Sequence, residues 1–386
     1  MIYLFLFILL LIPVIRFDLM QIEKGKSLWL FLCWIALVLV AGLRYRVGGD
    51  TLIYMIWFDT YPTWDDLSYF NFEEAKFNPL WYIFNAFTKS IVDDFAFFQI
   101  VHALIVNSVF FYFFKKYTPY YFSAIFIYGC VYYLYFNFEI LREIMGVCIL
   151  MLTYPLLENK KYIPYFILCI TAVCFHYSAG IMLLIPLFYM FFKKESIVWT
   201  ILGCACIFAL MSVVNVVPLL LSVFYDGQLA VLAENYFESE ISLGGMLYQM
   251  LLCFPTLLLL YIHQKNQLDT NHGFGRLLMF SAYIYTCSMF INGFWRLSNY
   301  FTPFFIVYFI NTFYELYEFR YQRQVTSALM GVAITVFSFT SFYYYYKDMS
   351  DFMPNARFYH IFHPYHSILS PEVDEFRERF IDNYRN

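Results

Sequence analysis

The chain has 386 residues, 62% of them hydrophobic and 13% charged, with a formal net charge of −4. A soluble globular chain is roughly 45–50% apolar and about 25% charged, so a pair of water-soluble domains is excluded. About twelve helices of about 20 apolar residues would use roughly 240 residues, which fits an all-α polytopic membrane protein forming a single domain over residues 1–386.

Apolar runs between charges predict spans at about 1–15, 27–43, 95–114, 120–136, 140–157, 162–175, 178–192, 196–214, 243–262, 276–291, 298–316 and 325–346. The first run has no positive n-region and no small-residue cleavage site, so it reads as a retained helix rather than a signal peptide. Loops after odd-numbered spans carry Arg16, Lys24, Lys26, Lys115, Lys116, Lys160, Lys161, Lys193, Lys194, Lys265, Arg276, Arg320 and Arg323. Those thirteen cations face seven acids, while the other side holds eleven cations and twenty-one acids, which together give the −4 of the chain. The positive-inside rule then predicts that both termini face outward. The outward segments are 44–94, with short helices at Leu52–Phe58 and Leu80–Phe87; 215–242, with an interfacial helix over Pro218–Phe237; and a tail over 347–386. Aromatics make up 24% of the chain, and Tyr343–Tyr346 suits an interfacial belt. Nine cysteines without a CxxC pair read as small apolar packing residues.

The candidate chemistry lies at the outward ends of the spans. Gly42-Leu43-Arg44-Tyr45-Arg46-Val47-Gly48-Gly49-Asp50 follows the second span. In an extended segment Arg44 and Arg46 point the same way, with Asp50 beside them, which makes an anion-grasping arrangement. The plainer alternative is a cationic helix end in the interface. Glu139, Arg142, Glu143 and Gly146 share one face of a continuous helix, either as a site or as an internally neutralised cap. His176 stands in the loop Phe175-His176-Tyr177-Ser178, and a lone histidine is as readily structural as catalytic. Arg296, Asn299 and Tyr300 share a further face at the start of the eleventh span. Four guanidiniums on an acidic side suit bidentate capture of a diphosphate. His360, His363 and His366 recur at three-residue spacing, but Pro364 interrupts a helix there, and HExxH is absent. No Walker A loop, GxGxxG or DxD pair occurs, so neither a metal, a cofactor nor a nucleic-acid partner is expected.

At these residues the sequence resembles the EpsG/Wzy-like family of polysaccharide polymerases. The G-L-R-Y-x-V-G-x-D element is matched by Gly42–Asp50, and the R-[QE] stretch opening a middle span by Glu139–Glu143. F-H-x-S-A is matched by Phe175–Ala179, and R-x-x-x-Y-F by Arg296–Phe301, all in family order. Two departures stand out: Phe77-Asn78-Pro79-Leu80 replaces the E-P-G of many members, and Arg142 is followed by Glu143 instead of Gln.

The resemblance implies joining of oligosaccharide repeat units carried on undecaprenyl diphosphate, at the outer face of the bacterial cytoplasmic membrane. Arg44, Arg46, Arg142 and Arg296 would hold the leaving diphosphate without a metal. Asp50, Glu143 and His176 are the groups available as general base, with Glu139, Asn299 and Tyr300 supporting the glycan. The partners implied are the lipid-linked oligosaccharides, the bilayer, a chain-length regulator and a flippase. A lipid-linked oligosaccharide flippase is the alternative from another class, and a ligase of the O-antigen type is the alternative enzyme. A flippase needs cations along a central cavity, whereas here they gather at the outward ends.

Overall fold

The computed structural model describes residues 1–72, 77–214, 242–268, 273–318, 331–332, 334–335, 338–339 and 341–385. It is helical, and among the described residues extended pairing is limited to isolated bridges, Arg44 with Ser367 among them. The expected helix at 218–237, the Arg320/Arg323 loop and part of the expected span 325–346 lie outside the described residues. The chain forms two compact units, Met1–Tyr177 with Ser341–Asn386, and Ser178–Thr340.

In the first unit the helices are α1 (Ile2–Pro13), α2 (Lys26–Gly42), α3 (Gly49–Thr60), α4 (Pro79–Ile91), α5 (Phe95–Tyr117), α6 (Tyr121–Ile127), α7 (Glu143–Glu158) and α8 (Tyr162–Val173). In the second they are α9 (Ile181–Phe191), α10 (Ile197–Val213), α11 (Leu243–Asn266), α12 (Phe274–Cys287) and α13 (Thr302–Glu318). The tail returns to the first unit with α14 (Glu375–Arg385). Among the described residues Ile2–Leu19, α5 and α11 are long and apolar enough to cross a membrane. Five shorter apolar helices fall on further expected spans. Helices suit an apolar solvent because their backbone bonds close within the segment.

The core of the first unit is α5, which packs against α2, α4, α6 and α7. Its first turn is set by Asp94, whose carboxylate accepts from the Ala96 amide at 2.7 Å. In the second unit α12 is central, touching α9, α10, α11 and α13. There the Glu195 carboxylate receives His263 Nδ1 at 2.7 Å and the Tyr308 hydroxyl at 3.3 Å.

The segment 44–94 is a folded layer. Both expected short helices are present, as α3 and α4, and they are joined by an aromatic cluster of Tyr54, Phe58, Tyr61, Trp81, Tyr82, Phe95 and Phe98. Burying each such ring contributes about 1.5–3 kcal/mol. Lys89, 8% exposed, reaches from α4 to the carbonyls of Phe58, Asp59 and Tyr61, each at 3.0 Å. Its ammonium closes the C-terminal end of α3, where the helix dipole favours positive charge.

Entry into α3 depends on Gly48, with φ at +106°. A Cβ there would also lie 2.8 Å from Thr51 Oγ1 and 2.9 Å from the Phe138 carbonyl. We therefore expect Gly48→Ala to cost more than about 1 kcal/mol, since strain and crowding act together. At Gly180 a Cβ meets nothing within 4 Å, so Gly180→Ala should be nearly neutral. Thermal melting of the two detergent-solubilised variants checks the contrast; equal melting would show that the turn at Gly48 is not specified by glycine.

Candidate active site

The Gly42–Asp50 segment leaves α2 and turns, so its two arginines part company. Arg46 sits at φ +53°, which ends the extended run that would have aimed both side chains one way. Arg44 turns inward and is 1% exposed. Its Nη1 donates to the Ala41 carbonyl, its Nε to Thr51 Oγ1 at 3.2 Å, and its Cζ lies over the Phe138 ring, 4.7 Å from the centroid. Nη2 has no hydrogen-bond partner among the described residues. Burial pulls this guanidinium down to about 10, still well above neutral pH.

Arg46 turns to the tail, pairing with Glu378, and that bond pushes its affinity for the proton further up. The neighbouring Arg377, 1% exposed, fixes the turn from the tail side. It donates to the carbonyls of Arg46 at 3.0 Å, His360 at 3.1 Å and Pro364, and lies 3.5 Å from Asp374. Burial lowers the pKa of Arg377. Backbone bonds complete the clasp: the Tyr45 amide donates to the His366 carbonyl at 2.9 Å, and the Gly48 amide to that of Ile361 at 3.0 Å.

The face expected over Glu139, Arg142, Glu143 and Gly146 does not form as one helical stripe. The chain passes through π turns at Tyr128–Tyr132 and Tyr135–Glu139, breaks at Ile140, and begins α7 only at Glu143. Glu139 instead caps α3, accepting from the Gly49 amide at 2.5 Å. Gly49 makes room for it, since a Cβ there would lie 2.8 Å from Glu139 Oε2. Asp50 follows in the first turn of the same helix, a position that favours a carboxylate. Glu143 is 2% exposed at the start of α7.

Arg142 is half-buried, with its Cζ over the Phe77 ring at 3.9 Å from the centroid. Its Nε donates to the Tyr54 hydroxyl at 2.8 Å, its one hydrogen bond among the described residues. No carboxylate of those residues lies within 4 Å of it, so the internally neutralised cap is not what forms. Stacking and one fixed nitrogen hold the guanidinium while its Nη edge remains available.

Phe77-Asn78-Pro79-Leu80 links this arginine to the third motif. Asn78 Nδ2 donates to the Val173 carbonyl at 2.8 Å, and the Leu80 amide to that of Cys174 at 2.9 Å. His176 is half-buried just beyond, its amide closing the end of α8 on the Ala172 carbonyl. The first unit thus contains Arg44, Arg46, Asp50, Glu139, Arg142, Glu143 and His176.

The second unit contains the remaining three. They lie in a 3₁₀ helix, Phe294–Phe301, in which residues three apart eclipse. Arg296 and Asn299 therefore keep a common face, whereas Tyr300 leaves it; fully buried, its hydroxyl lies 3.0 Å from Ser178 Oγ. Arg296 lies 5.7 Å from the Trp295 ring centroid.

Sequence reasoning missed Arg377, Lys89, Gln99 and His102. The first two looked like solvated charge, and the others like ordinary interruptions of an apolar span. The tail histidines serve the tail: His360 Nδ1 accepts from the Arg357 amide, and His366 Nδ1 lies 3.4 Å from Glu372.

An all-helical membrane protein with an arginine and carboxylate cluster beside one helical layer is the class these features define. The chain belongs to the EpsG family, whose sequence profile matches residues 27–356. That membership agrees with the motif resemblance and implies a polysaccharide polymerase type of activity. No curated protein and no solved structure gave a match. The matched stretch stops before Arg377 and Glu378, so the tail clasp lies outside it.

Docking of the tail should depend on pH through His360. Burial holds its pKa below the ordinary 6.5, with the charges of His363 and Arg357 acting the same way, against the Arg357 backbone bond and Asp374. Protonation then favours the undocked state, so the docked tail is fully favoured above 6.5 and weakens as pH falls below that value. Limited proteolysis should cut the tail faster at about pH 5 than at neutrality. In His360→Gln that difference should shrink; an unchanged difference would assign the effect to another group.

Proposed function

We propose that this protein is a polysaccharide polymerase. It would join oligosaccharide repeat units carried on undecaprenyl diphosphate at the outer face of the bacterial cytoplasmic membrane. The growing chain leaves its diphosphate carrier as the acceptor hydroxyl attacks. Negative charge builds on the leaving diphosphate, and a donor fixed in advance lowers the barrier without having to reorganise. The observation that carries this reading is Arg142, stacked on Phe77 and anchored to Tyr54, with its Nη edge uncommitted among the described residues.

In this reading Arg142 engages the diphosphate directly, and Arg296 is the second candidate. Arg44, enclosed by Ala41, Thr51 and Phe138, acts by shaping the loop. Arg46 has its charge paired with Glu378 through Nε, so an anion there competes with that carboxylate. Asp50, Glu143 and His176 remain the candidates for removing the acceptor proton, with Glu139 ordering α3 behind them. The guanidiniums supply the charge, so no divalent ion is required. The flippase alternative is less favoured: the buried polar residues of α5, Gln99, His102 and Asn107, each bond to a protein acceptor and are at most 3% exposed, unlike those lining a wet path.

Polymer length and turnover should fall about 10²–10³-fold in Arg142→Gln, the usual cost of a lost transition-state donor. Arg142→Lys should restore little, because a point charge neither stacks on Phe77 nor engages two oxygens. Normal polymer from a folded, membrane-inserted Arg142→Lys would make Arg142 an interface anchor. The same assay should proceed in excess chelator. Sidedness is tested separately: single cysteines placed in the 44–94 segment should react with an impermeant maleimide added to intact spheroplasts. Labelling only after lysis would place the site on the cytoplasmic face.

A further inference from the structure

Three buried polar side chains interrupt the apolar helix α5: Gln99 at 3%, His102 at 1% and Asn107 fully enclosed. Polar groups on a membrane-spanning helix are costly and persist where they are paired. Each here serves a segment carrying one of the motifs. Gln99 Nε2 donates to the carbonyl of Arg44 at 3.1 Å. His102 Nε2 lies 2.9 Å from the carbonyl of Leu141, the residue before Arg142; facing a carbonyl, that nitrogen carries the proton. Asn107 Nδ2 donates to Asn137 Oδ1 at 3.0 Å and receives Tyr128 OH on its own oxygen at 3.1 Å. Asn137 closes the ring by donating to Tyr128 OH at 2.8 Å, within the π turn that precedes Glu139.

Gln99 and His102 lie three residues apart, so they share a face and are offset by roughly 4.5 Å along the axis. One turn of a rigid helix thereby grips two separate chain segments by their backbones, at Arg44 and just before Arg142. A carbonyl grip fixes the segment whatever its side chain does. The π turns between Tyr128 and Glu139 make such support necessary, because they interrupt the regular ladder that would otherwise hold Arg142.

We propose that His102 and Gln99 are positioning residues that set the register of the Arg142–Glu143 turn against the Arg44 loop, so that the Nη edge of Arg142 is preorganised for a diphosphate. This rests on the reading of Arg142 given above. Neither side chain touches the anion.

The test measures binding of inorganic pyrophosphate to the full-length protein in nanodiscs, with thermal melting recorded beside each titration. Arg142→Gln should bind far more weakly than the parent protein. His102→Leu fills a similar volume but has no donor, and should weaken binding by about tenfold, the scale of one misplaced hydrogen bond. His102→Gln restores an Nε2 donor and should return binding close to the parent value. Parent-like binding by folded His102→Leu, with Arg142→Gln impaired, overturns the positioning role and leaves Arg142 standing. Equal weakness in folded His102→Gln and His102→Leu also overturns it, since the donor would then be irrelevant. Parent-like binding by Arg142→Gln overturns the reading of Arg142 and this inference with it. If His102→Leu does not fold, Gln99→Met tests the same register from the other end. Weakened binding there is the expected result, and unchanged binding in a folded protein overturns the proposal.

Discussion

A guanidinium removed from water must find acceptors close at hand, because an unpaired buried charge costs more than most folds can bear. Two such groups, Arg44 and Arg377, govern the first unit. Arg44 is enclosed from the helix side by Ala41, Thr51 and Phe138. Arg377 is enclosed from the tail side by the carbonyls of Arg46, His360 and Pro364 and by Asp374. Between them the backbone of the Gly42–Asp50 loop has little freedom. The turn at Arg46, the entry into α3 and the approach of Glu139 to that helix all follow from this constraint.

The chemistry of the candidate site is a division of labour among like residues. Arg44 spends its donors on the protein, Arg46 on Glu378, and Arg142 only its Nε on Tyr54. A guanidinium enclosed by the protein, or paired with a carboxylate, recruits an anion less readily than one held by a ring and a neutral hydroxyl. Phe77 supplies that ring from the segment in which the chain departs from the E-P-G pattern of its relatives.

Much of this architecture was legible in the sequence. Apolar run lengths located the helices, as with α2, α5 and α10, because the helical period and the thickness of the bilayer leave few other solutions. The helices inside the 44–94 loop were legible too, at Leu52–Phe58 and Leu80–Phe87. The π turns at Tyr128–Tyr132 and Tyr135–Glu139 were not. They arise where Asn137 is drawn inward by Asn107 and Tyr128, partners 30 and nine residues away in the chain. The shared face of Arg296, Asn299 and Tyr300 failed for a related reason: a 3₁₀ helix turns by a different angle per residue, and the winding is set by packing around Tyr300.

By itself the sequence determined the solvent of this protein, the extent of most helices and the motifs that place it in its family. Those properties depend on local hydrophobicity and residue type, which the chain carries position by position. Tertiary structure decided which arginine is free to act. Arg44, Arg46 and Arg142 are chemically identical, and only the groups brought against them distinguish them. Those groups come from far along the chain: Glu378 for Arg46, Phe138 for Arg44, Phe77 and Tyr54 for Arg142. Burial and long-range hydrogen bonding are properties of the folded whole, and that is why charge pattern alone left the three equivalent.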